Sequence, residues 1–160
     1  MSVYLSVAPP DGFTRWSDTD WDRWLREHPW EQAERVCSRG DWAIFLYQIR
    51  QHCPQGKKGI EPLLEQLVNE RPLSSQQAEE LRDSLDRARD ELDEKPAEAM
   101  KQGSGNFAGA DDIEGMIAAA RQRLGRNPSL GDVWAEVFEH LDHVLENALA
   151  QKRGIYFGNV

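Results

Sequence analysis

Residues 2–12 read SVYLSVAPPDG, and this stretch decides whether the chain is a plain helix bundle or something more. Val3, Leu5 and Val7 alternate with Ser2, Tyr4 and Ser6, the period of a half-buried strand. Ala8-Pro9-Pro10-Asp11-Gly12 then stops the run with a proline pair and a turn. A strand is expected over residues 2–8. Isolated strands are marginal in water and need a partner. The segment GIYFGNV at 154–160 follows a glycine and is rich in β-formers, so a second strand is expected over 155–159. Laid side by side against helices, the two strands would bring the termini together.

Between them the pattern is helical. RWSDTDWDRWLREHPWEQ, residues 15–32, carries four of the six tryptophans. Its D-x-D-x-D spacing resembles a calcium loop, but such a loop needs Gly at position six and Glu at position twelve. Counted from Asp18, those positions hold Arg23 and Pro29, so the calcium reading fails. Ser17 or Asp18 instead caps a helix, with Asp20 and Asp22 in its first turn. Trp21, Trp24, Leu25 and His28 share one face, and core packing is the expected use of that face. Trp16 falls outside the periodicity and is the tryptophan expected to be exposed. Pro29 ends this helix and is expected to open a short second one, with Trp30, Ala33 and Val36 or Cys37 inward.

Farther along, Gly40 reads as a stop and Asp41 as the cap of a helix burying Trp42, Phe45, Leu46, Ile49 and Cys53. QGKKG at 55–59 reads as a loop, followed by a core helix through Ile60, Leu63, Leu64, Leu67 and Val68. Ser74 and Gln77 form a capping box. Ala78, Leu81, Leu85, Ala88 and Leu92 then trace a seam so narrow that it is expected to cover one neighbour only. Residues 95–109, KPAEAMKQGSGNFAG, read as a linker or mobile loop. A helix from Asp111 or Asp112 follows, with Ile113, Met116, Ile117, Ala120 and Leu124 inward. A last helix over about 132–152 carries Trp134, Val137, Phe138, Leu141, Leu145, Ala148 and Leu149. The expected fold is therefore α+β and predominantly helical: six to seven helices, with a small sheet formed by N- and C-terminal strands, in one domain spanning 1–160.

Charge narrows the function. Acidic residues outnumber Lys and Arg by 28 to 19, a net charge of −9, which repels phosphate backbones and anionic lipid. Nucleic acid and membrane are not the expected partners. No basic leader precedes a long apolar run, and no apolar run approaches 18 residues, so a soluble cytoplasmic chain with two reduced cysteines, Cys37 and Cys53, is expected.

Residues 79–98 hold nine acids against four bases, net −5. The expected function is a non-enzymatic protein-interaction module with an acidic face, concretely an immunity- or antitoxin-type inhibitor of a basic protein. Asp83, Asp86, Asp90, Glu91 and Glu94 would steer association, with Trp16 and Phe107 as anchors.

Two alternatives compete with it. Glu136, His140 and His143, at i, i+4 and i+7, line one helical edge and could supply ligands to zinc or iron in a metal-dependent or acid–base enzyme. Their spacing is not that of H-E-x-x-H, and no second element supplies an evident further ligand. The Ala78–Leu92 seam could instead join two copies as a homodimer. No nucleophile elbow or phosphate cradle is present, and no cofactor is implied.

Overall fold

The computed structural model describes residues 2–28, 33–69, 71–102 and 110–158. In chain order the elements are β1 (Ser2–Pro10), a 3-10 turn η1 (Phe13–Arg15), α1 (Asp18–Glu27), β2 (Glu34–Ser38), α2 (Arg39–His52), α3 (Pro54–Val68) and α4 (Ser75–Asp93). A second 3-10 turn η2 (Ala97–Lys101), α5 (Ala110–Leu124), α6 (Leu130–Val133), α7 (Ala135–Ala150) and β3 (Arg153–Gly158) complete the order. The protein is α+β and mainly helical, with an antiparallel sheet of order β2-β1-β3. No described helix is long and apolar enough to cross a membrane.

β1 is the central strand because both its neighbours bond to it. Leu5 pairs with Phe157 and Val7 with Ile155, and these side chains face the main core. Ser6 pairs with Tyr156 on the other face, where Ala8, Phe13 and Tyr156 make a small second core with Trp21 against it. On the β2 side, Val3 pairs with Cys37 and Tyr4 with Arg35, so Val36 is the extra residue of a bulge. The bulge lets adjacent Val36 and Cys37 both be buried.

This corrects the reading of a short helix opened by Pro29. Two buried neighbours in a bulged strand imitate helical spacing; residues 29–32, Trp30 among them, lie outside the described segments. Ser38, rather than Asp41, caps α2: its hydroxyl accepts from the Asp41 N–H at 3.0 Å. α2 therefore begins before Gly40.

Residues 55–59 are helical, not a loop. Pro54 occupies the first turn of α3, where its missing N–H is not needed. Gly56 and Gly59 face α4, and a Cβ on Gly56 would stand 2.7 Å from the Ala88 Cβ. These glycines therefore allow a close helix–helix approach instead of making a turn. The α3–α4 hairpin is closed at its other end by reciprocal amide bonds between Gln66 and Gln77 (3.1 and 2.9 Å) and by Gln66 donating to the Pro72 carbonyl (2.9 Å).

The seam Ala78, Leu81, Leu85, Ala88 and Leu92 is fully buried, Ser84 with it. It meets more than the single neighbour expected: α4 packs against α2, α3, α6, α7 and β3. With all five seam residues covered by their own chain, the seam is not available as a homodimer interface.

The 95–109 segment is structured at its start. Ala97, Ala99 and Met100 are buried in η2, and Pro96 bridges to Ser129; residues 103–109, Phe107 included, lie outside the described segments. The final helix is split. Ser129 and Asp132 form a capping box on α6, and α7 starts after Trp134. Phe45 on α2 ties the halves together, its ring 5.4 Å from Trp134 and 5.3 Å from Phe138.

Candidate functional site

α4 buries one face and leaves the opposite one acidic. At 100° per residue, Glu79, Asp83, Asp86, Asp90 and Glu94 project away from the buried seam. All five are exposed, and Arg87 is the cation among them. The row continues onto α7. Burial, together with the nearby Asp86 and Glu146 carboxylates, holds the Asp142 carboxyl above its ordinary value, against the opposing pull of Arg89 and Arg82.

Glu91 does not belong to the steering set. Its carboxylate accepts from the backbone N–H of Gly56 (3.0 Å) and Gln55 (3.4 Å), which caps the positive end of α3. Its partner is the chain's own backbone.

Trp16 is 37% exposed, as its position outside the periodicity implied. The expectation of core packing holds for Trp21, half-buried against the small second core, and is corrected for Leu25, which is exposed; Trp24 is half-buried, and α1 buries no residue fully. Ring contacts add to this packing, two of them between α1 and β3 and one within α1 and its cap. Trp21 meets Tyr156 edge-on at 5.3 Å, Trp24 stacks on His28 at 3.6 Å, and the Arg153 guanidinium lies 5.5 Å over the Trp24 ring. Between these aromatics and the C-terminal half of α3 runs an open cleft of about 940 Å³.

On α7, His140 and His143 both turn toward β2. His140 Nδ1 donates to Glu34 Oε1 at 2.7 Å and His143 Nδ1 to Oε2 at 2.9 Å. A carboxylate only accepts, so each ring carries a proton on Nδ1. Burial would raise the Glu34 pKa, but the two histidine bonds outweigh it and hold the carboxyl below its ordinary value. Glu136 Oε1 is 3.6 Å from His140 Nε2, too far for a hydrogen bond. Among the described residues no three His, Cys, Asp or Glu side chains are grouped so as to hold a metal ion. The three residues read as possible metal ligands are thus two donors on one carboxylate and an outlying glutamate. Glu34 was illegible as their partner because 106 residues separate it from His140.

Neither cysteine is a ready nucleophile: burial pushes both thiols up to about 12. Cys53 Sγ contacts the Ala88 carbonyl at 3.4 Å. Comparison with protein-family models, with curated proteins and with solved structures returned no match.

Proposed function

We propose that the protein is a non-enzymatic interaction module that binds a basic protein through the acidic row of α4 and its continuation on α7, with an immunity- or antitoxin-type inhibitor as its concrete form. The observation that carries the reading is the row of exposed carboxylates Glu79, Asp83, Asp86, Asp90 and Glu94 on one face of α4, with Asp142 of α7 near Asp86. Carboxylates aligned on one exposed face set up a negative field that a cationic surface would relieve. The rigid base is α4, whose other face is buried from Ala78 to Leu92. A row held on a packed helix loses little freedom on association.

The test is capture from a lysate of the source organism at low and high salt, followed by association kinetics with the recovered protein. A basic partner is expected, whose on-rate falls steeply as ionic strength rises. Neutralising Asp83, Asp86, Asp90 and Glu94 to their amides should slow association by about tenfold or more while leaving the off-rate nearly unchanged. A salt-insensitive on-rate would remove the steering role.

A further inference from the structure

The aromatic cluster that holds α1 forms an unfinished ladder of flat groups. Arg153 covers the Trp24 ring at 5.5 Å, and Trp16 meets Trp24 at 5.8 Å with the planes tilted by 56°. Trp16 is the outermost member and the most exposed tryptophan described, and it lines the cleft of about 940 Å³ together with Phe13 and Trp21. The charged groups lining that cleft are Asp18 at the start of α1, Glu65 on α3 and Arg71 beyond the end of α3, two carboxylates against one guanidinium. A negative quadrupole on each ring face and a carboxylate excess are the two features that attract a cation. A planar guanidinium satisfies both at once: it stacks on an indole and forks onto a carboxylate, which a compact ammonium cannot do. The molecule already uses this chemistry internally, where Arg153 sits on Trp24.

We infer that the cleft between Trp16 and Glu65 is a binding site for an arginine side chain, supplied by an exposed segment of the partner protein. The inference deepens the reading given under Proposed function and rests on it for the source of the arginine. Trp16 supplies the ring face, Asp18 and Glu65 the acceptors, and Arg71 sets a repulsive limit on how much positive charge the cleft admits.

The probe is the tripeptide acetyl-Gly-Arg-Gly-amide, titrated into the full chain and followed by the indole N–H resonances, with the citrulline peptide as its neutral isostere. The arginine peptide is expected to shift the Trp16 resonance saturably, and the citrulline peptide to leave it unmoved. Trp16→Ala should weaken binding by about five- to thirtyfold, the range of a partly desolvated cation–π contact, and Trp16→Phe by less. Glu65→Gln should weaken it and Arg71→Gln should tighten it, while helical circular dichroism stays unchanged in each. Equal binding of the citrulline peptide, or an unchanged affinity in both Trp16→Ala and Glu65→Gln, would overturn the assignment. The α4 amide variant separates the two readings. Salt-dependent capture of a partner without tripeptide binding removes the arginine site and leaves the acidic face, whereas tripeptide binding that survives the α4 changes, with no salt-steered partner, does the reverse.

Discussion

Gly56 lies where α3 and α4 approach closely, and the space there is already filled. An added methyl would meet Ala88 Cβ at 2.7 Å and its Cα at 2.9 Å, against a helix that is itself packed on several sides. Gly56→Ala would gain helix propensity, yet it is expected to destabilise the fold by about 1–3 kcal/mol, as overpacking does, measurable by urea denaturation. His52 gives a pH dependence of defined sign. Burial depresses its pKa below 6.5, against a hydrogen bond to the Ala99 backbone, so below 6.5 the unfolded chain takes up a proton that the folded chain resists. Its contribution to stability is fully present above 6.5 and is lost as pH falls from there through the lowered folded-state value. Denaturation midpoints from pH 8 to pH 5 should decline in the native chain and decline less in His52→Gln.

At the scale of the element, the acidic row trades stability for charge. Asp142 is held above the ordinary aspartate value first by burial and then by Asp86, so its ionised form is disfavoured in the folded state. Asp142→Asn is expected to raise the melting temperature at neutral pH by roughly 1–2 °C, an effect that shrinks as pH falls toward 3.8, and to slow association with a basic partner. A lower melting temperature at pH 7 would count against like-charge crowding. The start and buried seam of α4 were legible in the sequence because what decides them is local, a capping box at Ser74 and Gln77 and then a five-residue seam, whereas the number of neighbours the seam meets was not. β2 was not, because its bulge is fixed by pairing with β1 across more than thirty residues. The start of α3 was misread for a related reason. Glycines at 56 and 59 look like a turn until Ala88 and Ser84 of another helix are placed against them.

For the whole molecule, the α+β class was readable from one stretch that alternates with period two and a second that is rich in β-formers, yet the candidate sites were legible only in part. Trp16 stood out by falling outside a periodic face, but the cleft it lines has its other wall near residue 65, and nothing local joins the two. Glu34 and His140 are likewise joined only by the docking of β2 onto α7. Long-range pairing also sets how the molecule answers a pulling force. β1 and β3 are antiparallel neighbours, with Tyr4 opposite Gly158 and Pro10 opposite Arg153, so residues 2 and 158 sit at the same end of the pair. Tension between those two positions peels the strands apart one rung at a time, starting at Tyr4. Tension between residues 10 and 158 instead loads the whole ladder in shear. Single-molecule stretching should open the first tether at lower force than the second, which makes the sheet a latch that yields when drawn from residues 2 and 158 and resists when drawn along its length.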